Sequence, residues 1–212
     1  MRKLISGLRR NRREKQKGLV ILMFVQNKSI KDYIHKCNVE RLPINYDGKM
    51  EVNLFGHRIL VEKNEWLWHL HLKITDKCNA KCSFCVEQNA ERCENAEYFI
   101  MQVDEMLSEM EKEGILYSVS VTGGEPLLFE KFTKLCEVLG KHDIKFLTIN
   151  TNGKYLENHI KEIDGLFDFV DISRHAISDK KNNEIFGTCM PSLVDLERIK
   201  GKLLKTKMRL QC

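Results

Sequence analysis

The stretch Leu67-Trp-His-Leu-His-Leu-Lys-Ile-Thr-Asp-Lys-Cys78-Asn-Ala-Lys-Cys82-Ser-Phe-Cys85 decides how this 212-residue chain is read. Its first eight residues alternate. Leu67, His69, His71 and Lys73 share one face, and Trp68, Leu70, Leu72 and Ile74 share the other. A period of two predicts a strand. The strand empties into three cysteines spaced C-x3-C-x2-C. Three thiolates on one short loop are one too few for a closed four-thiolate site. A centre held there keeps an open coordination position, which marks a reactive metal site rather than a structural one. Local spacing also leaves zinc open. Cys82 and Cys85 form a C-x2-C, Cys93 lies eight residues further on, and His69 and His71 lie just upstream. For the two histidines, the simpler reading is a polar strand face.

Downstream the pattern becomes regular. Phe99–Glu113 has helical periodicity and stops at Gly114, and Leu116–Val121 reads as a strand running into Thr122-Gly-Gly-Glu-Pro126. Phe129–Lys141 reads as helix, Lys145–Asn150 as a strand ending at Thr151-Asn-Gly153, and Lys154–Ile163 as helix. Phe167–Ser173 reads as a strand ending at Arg174-His175, Ser192–Leu204 as helix, and Lys207–Gln211 as the opening of another strand. Strands alternating with helices over short loops predict βα units and a parallel sheet. Ligands of such sheets lie beyond the carboxyl ends of the strands. The cysteine loop, Gly-Gly-Glu-Pro, Asn-Thr-Asn-Gly and Ser-Arg-His all fall at that one edge, as a single active site requires.

Upstream, Met50–Phe55 and Arg58–Glu62 around Gly56-His57 predict a β-hairpin, and residues 1–43 have mixed helical character. Residues 1–65 are therefore expected to form a small N-terminal extension, and residues 66–212 the core. With 42% hydrophobic and 31% charged residues the chain is expected to be globular rather than disordered. The longest apolar run, Leu19–Val25, is too short to span a bilayer, and Gln-Asn-Lys-Ser follows it where a signal-peptide cleavage site would need small residues. A cytoplasmic protein without membrane association is expected. The net charge of +5 is local: residues 1–17 carry eight basic side chains and one acid, Glu14. A solvated arm accounts for that tail, and nucleic acid is not an expected partner. The eight cysteines do not read as a disulfide framework in a cytosolic chain of this size. Cys136 lies in an apolar helical pattern and reads as a small core residue, and Cys93 as a bystander.

A C-x3-C-x2-C loop after the first strand, with Phe84 before the last cysteine, followed by Gly123-Gly124-Glu125-Pro126 after the second strand, resembles the radical S-adenosylmethionine (SAM) superfamily. The resemblance covers about residues 66–212. It implies an α/β fold, a partial (β/α)6 TIM-like barrel, here incomplete at about four to five βα units. It implies a [4Fe–4S] cluster on Cys78, Cys82 and Cys85 whose open iron binds the amino and carboxylate groups of SAM. An electron then cleaves the sulfonium to methionine and a 5′-deoxyadenosyl radical, which removes hydrogen from a substrate. By resemblance Phe84 lies near the adenine. Gly123 and Gly124 let the backbone approach the cofactor, Glu125 accepts from its ammonium group, and Pro126 fixes the turn. Asn150, Thr151 and Asn152 sit where the family lines its pocket with polar groups. Ser173 resembles the strand-four contact to ribose or carboxylate, and Arg174 can bind that carboxylate bidentately. His175 is a candidate proton donor or substrate contact. An electron donor such as flavodoxin or ferredoxin is an implied partner.

The chain stops as a fifth strand begins, so a sixth unit of the family is not in it, and a truncated or split protein is expected. The N-terminal hairpin region suggests a docking element for a peptide or protein substrate, hence a peptide-modifying maturase ahead of a glycyl-radical activase. The rival from another class is a non-catalytic iron–sulfur or zinc-binding remnant serving as an interaction module.

Overall fold

In the computed structural model the described residues are strands at 19–23, 34–36, 40–44, 49–54 and 57–62, as backbone, and then residues 67–85, 95–114 and 116–211. The strands are β1 (Leu19–Met23), β2 (Ile34–Lys36), β3 (Glu40–Ile44), β4 (Lys49–Leu54), β5 (His57–Glu62), β6 (Leu67–Lys73), β7 (Leu116–Thr122), β8 (Leu147–Thr151), β9 (Phe169–Ser173) and β10 (Lys207–Gln211). The helices are α1 (Ala96–Lys112), α2 (Phe132–Leu139), α3 (Ile160–Ile163), α4 (Asp179–Phe186) and α5 (Leu193–Lys200).

One sheet runs β10-β9-β8-β7-β6-β1-β2, and a separate antiparallel sheet runs β3-β4-β5. From β6 to β10 each strand lies parallel beside its predecessor in sequence. Leu70, Leu72, Val119, Val121, Leu147, Ile149, Val170 and Ile172 share one core with Phe99, Val103 and Leu107 of α1 and Leu135 and Leu139 of α2. The helices thus cover one face of a singly wound sheet, as in a partial barrel. Each fully buried Leu, Ile or Val side chain there contributes roughly 1.5–3 kcal/mol.

The opposite face is polar, and the register explains why. His71 stands beside Ser120, Ser120 beside Thr148, Asn150 beside Asp171, and Asp171 beside Arg209. Side chains opposite one another in register share a face, so polar groups line that face from β6 to β10, with Phe169 standing beside Thr148. His69 and His71 lie on it. His69 Nδ1 lies 2.7 Å from Ser118 Oγ, and the two imidazoles meet edge-on at 4.6 Å. Burial first, and His71 second, lower the His69 pKa to about 3, so its ring is neutral at ordinary pH.

Several elements differ from the sequence expectation. Residues 19–23, 34–36 and 40–44 are strands, not helix. Leu19-Val-Ile-Leu-Met23 is a continuous apolar run, which suits a strand inside a parallel sheet, and β1 pairs parallel with β6. The hairpin is present as β4 and β5, and its turn residues Phe55 and Gly56 lie outside the described residues. The pattern Phe129–Lys141 shortens to α2, Phe132–Leu139, and a 3₁₀ turn, Pro126–Leu128, precedes it. Lys154–Ile163 divides into a 3₁₀ turn, Leu156–His159, and the single turn of α3. Helix α4 was not expected at all. Its sequence DKKNNEIF lacks an apolar period, and its signals are the Ser178 N-cap and Gly187, which ends it in the left-handed region at φ +64°. Among the described residues, no helix is long and apolar enough to cross a membrane.

Candidate functional site

The loops that leave β6, β7 and β8 are knotted together at the carboxyl edge of the sheet. The β6–β7 ladder continues past the strands into the loops. Ile74 N–H donates to Thr122 O at 2.9 Å, Gly124 N–H to Thr75 O at 2.7 Å, and Glu125 N–H to Lys77 O at 2.8 Å. This close approach explains both glycines. A Cβ on Gly123 would lie 2.4 Å from Thr75 O, and one on Gly124 would lie 2.5 Å from Lys77 O. Gly123 also holds φ +149°. The backbone that Gly123 and Gly124 admit is thus that of the cysteine loop's own approach segment.

Glu125 is fully buried. Its Oε1 accepts from Leu127 N–H at 3.1 Å and from Thr151 Oγ1 at 2.6 Å, and its Oε2 accepts from Asn152 N–H at 2.8 Å. Burial pushes its pKa up, and these three donors oppose that shift without cancelling it. Through these bonds the carboxylate ties the β7 turn to the end of β8. Pro126 opens the 3₁₀ turn that the same carboxylate caps. Asn152, also buried, reaches the other way, its Nδ2 donating to Asn79 Oδ1 at 2.9 Å inside the cysteine loop. Asn150 turns onto the polar sheet face, donating to Ser120 Oγ at 3.0 Å.

Of the three thiols, Cys78 is exposed, Cys85 half-buried and Cys82 buried. Cys85 N–H donates to Cys82 O at 3.1 Å, and Ala80 N–H to Cys78 Sγ at 3.4 Å. Burial, then the Glu125 carboxylate and the Cys85 thiol, raise the pKa of Cys78, and burial, then Cys85 and Cys78, raise that of Cys82. Three cysteine sulfurs on one short loop, two of them with ionisation disfavoured by burial and nearby negative charge, form a donor set that a cationic iron–sulfur core would relieve, so the residues fit such a group. Among the described residues, no three Cys, His, Asp or Glu side chains already converge into a metal cage.

Beside the thiols lies an open hollow of about 410 Å³ lined by Lys81, Ser83, Phe84, His175, Glu184 and Ile185. Phe84 is exposed and meets the His175 ring edge-on at 4.7 Å. His175 N–H donates to Asn182 Oδ1 at 3.0 Å. Ser173 ends β9 half-buried at the same edge. Arg174 is buried, and its guanidinium donates to Pro191 O at 3.2 Å and Ile177 O at 2.8 Å and pairs with Asp179. These partners of the guanidinium all belong to the segment that carries α4. Cys93 and its neighbours 86–94 lie outside the described residues, as do Cys37 and Cys212. Cys136 is buried in α2, where burial pushes its thiol up to about 12.

The structure brings Cys78, Cys82, Cys85, Phe84, Gly123, Gly124, Glu125, Pro126 and Asn152 to one edge by direct contacts or shared turns. Asn79, Asn182, Phe186 and Met190 belong to the same assembly and were not picked out by motif. Asn79 carried a signal as the polar residue inside the cysteine spacing, and the other three carried none.

The family profile described as "Radical SAM superfamily" matches residues 72–193, more than half of the chain. The GTP 3′,8-cyclase of Synechocystis sp. is 31% identical over 153 residues, 70% of this chain and 43% of that protein. The GTP 3′,8-cyclase of Clostridium perfringens is 31% identical, over 66% of this chain and 45% of that protein. The chain spans less than half the length of these relatives. Streptococcus suis SuiB, solved with S-adenosylmethionine bound, superposes with a TM-score of 0.54 at 24% identity, over 72% of this chain and 34% of that one. That likeness establishes the partial-barrel fold. The chain belongs to the radical SAM superfamily, whose members use a [4Fe–4S] cluster and S-adenosylmethionine.

Proposed function

We propose that this chain is the catalytic core of a radical SAM enzyme that abstracts hydrogen from a peptide or protein substrate. The observation that carries the reading is the knot at the carboxyl edge. The thiol loop, the buried Glu125 and Asn152 form one hydrogen-bonded unit beside a hollow lined by Phe84. Cys78, Cys82 and Cys85 are the proposed cluster ligands. When bound, the cluster supplies the electron that cleaves SAM to methionine and a 5′-deoxyadenosyl radical. Phe84 offers an exposed ring for the adenine. Gly123, Gly124 and Pro126 shape the turn that faces the methionine end. Glu125 holds that turn to β8 and is proposed to orient the methionine end of the cofactor. Asn152 and Ser173 add polar groups along the rim, and Arg174 braces the loop that walls the hollow.

Residues 1–65 are proposed as an accessory extension that adds β1 and β2 to the core sheet and carries the sheet β3-β4-β5. Supporting a peptide substrate, that small sheet ends on β3 and β5, whose outer edges can take an added strand. The electron donor is proposed to be of the flavodoxin or ferredoxin class.

Anaerobic reconstitution with ferrous iron and sulfide tests the reading. A [4Fe–4S] spectrum that changes on adding SAM, and dithionite-dependent 5′-deoxyadenosine, are expected. Cys82→Ala should lose both. Tight zinc binding with no response to SAM would overturn the enzyme reading. Consumption of added GTP, in line with the name of the cyclase relatives, would replace the peptide as substrate.

A further inference from the structure

Cys82 is the one buried thiol of the three, and what buries it is separate from the main core. Phe186 and Met190, both buried, form a small apolar cluster with Cys82, against which Ala80 and Cys85 also pack. Phe186 is the last residue of α4, and Met190 lies in the connection to α5. Neither residue is close to the thiol loop in sequence.

The contact is held from several sides. Lys81 N–H donates to Phe186 O at 2.8 Å, which binds the backbone of the thiol loop to the end of α4. Gly187 ends α4, and a Cβ there would lie 3.3 Å from Lys81 Cβ, so the glycine leaves the loop room to seat. Met190 N–H donates to Asn183 Oδ1 at 2.8 Å, and Arg174 donates to Pro191 O. The Met190 backbone is therefore anchored whatever its side chain.

We propose that Phe186 and Met190 are positioning residues that seat the Cys82 thiolate in an apolar bed, keeping the bound cluster strongly reducing and slow to degrade. The inference rests on the cluster reading of Cys78, Cys82 and Cys85. A [4Fe–4S] core on three thiolates gains one electron from an external donor and passes from a monoanion to a dianion. Water and polar groups stabilise the dianion more, so excluding them lowers the reduction potential. The shell around a site sets solvent access and potential together, and this bed shields the thiolate side of the cluster.

The test uses the full chain, reconstituted anaerobically with ferrous iron and sulfide and without SAM. Met190→Gln introduces polarity at similar size, Met190→Leu keeps the bed apolar, and Phe186→Tyr adds one hydroxyl. The readouts are iron and sulfide per chain, the midpoint potential followed by electron paramagnetic resonance, and the rate of bleaching in air. Met190→Gln is expected to load iron, shift the midpoint to more positive potential and bleach severalfold faster, while Met190→Leu matches the wild type. A Met190→Gln protein that matches the wild type in both potential and bleaching overturns the inference. So does a Met190→Leu protein that shifts as far as Met190→Gln. Phe186→Tyr gives the same readout and decides the matter if Met190→Gln loses its far-ultraviolet circular dichroism. Wild-type protein that takes up no cluster overturns the functional reading itself.

Discussion

Asn152, just past the end of β8, donates its side-chain amide to Asn79 Oδ1 in the thiol loop at 2.9 Å, across 73 residues of chain. The Asn152 backbone N–H holds Glu125 Oε2 at the same time. One residue therefore fastens the thiol loop, the Gly-Gly-Glu-Pro turn and the third βα connection. Asn79→Ala leaves the Asn152 amide buried without its acceptor and is expected to cost about 1–3 kcal/mol. Asn79→Asp keeps an acceptor and should restore most of that loss. Denaturant unfolding of the two variants checks the stability, and iron retention after reconstitution checks the loop.

Gly124→Ala forces a Cβ to within 2.5 Å of Lys77 O and 2.7 Å of Asp76 O, so the thiol loop must lift from the β7 turn. Both atoms are backbone and cannot rotate aside. A loss of about 1–3 kcal/mol is expected, together with reduced cluster uptake. The comparison with Gly114→Ala separates the two effects. Gly114 has a left-handed φ of +63°, and its Cβ would meet nothing within 4 Å, so it strains the backbone while leaving cluster uptake intact.

Glu125→Gln replaces an acceptor-only carboxylate with an amide whose NH₂ must face a donor. The expected loss is about 1–3 kcal/mol. The pH dependence has a definite sign. Burial raises the folded pKa of Glu125 above the ordinary value of 4.5, so the native state binds the extra proton. Its contribution is fullest below that ordinary value and is lost as pH rises through the folded pKa. Wild-type stability relative to Glu125→Gln should therefore fall between pH 4.5 and the raised value. Urea unfolding across that range measures it, and a difference that stays flat contradicts the assignment.

Asp171 on β9 and Arg209 on β10 pair on the polar sheet face, with Arg209 Nη2 at 2.9 Å from Asp171 Oδ2. Their side chains are 3% and 23% exposed respectively, so the two truncations are not equivalent. Arg209→Ala leaves a buried carboxylate uncompensated and should cost about 3 kcal/mol. Asp171→Ala leaves a guanidinium that water can reach and should cost less. Removing both should cost less than the sum of the singles, as a double-mutant cycle in guanidinium chloride would measure.

Much of this fold is legible along the chain because it depends on local periods. The alternation at Leu67–Ile74 sorts polar from apolar side chains onto two faces, the apolar repeat of α1 buries one face, and each pattern holds wherever the partner lies. The elements that sequence reading lost are those whose stability is borrowed. Helix α4 has almost no apolar stripe, and it stands because its caps close it and Phe186 packs beneath the thiol loop. β1 lacks alternation because it lies within the sheet, between β6 and β2. The candidate site shows the same division. The cysteine spacing and Gly-Gly-Glu-Pro are visible as strings, and the protein contacts that hold them are not. The glycines clear the carbonyls of Thr75 and Lys77, and Glu125 accepts from Leu127, Thr151 and Asn152.

Sequence alone determined the thiol set, the order of the parallel strands from β6 to β10 and the edge on which the chemistry gathers. These follow from residue type and from periods of two and 3.6. Tertiary structure decided which groups face one another: Asn152 with Asn79, Glu125 with the end of β8, and Phe186 and Met190 beneath Cys82. Such pairings join residues tens to about a hundred positions apart, and they exist only once the βα units have packed and brought their loops to one edge.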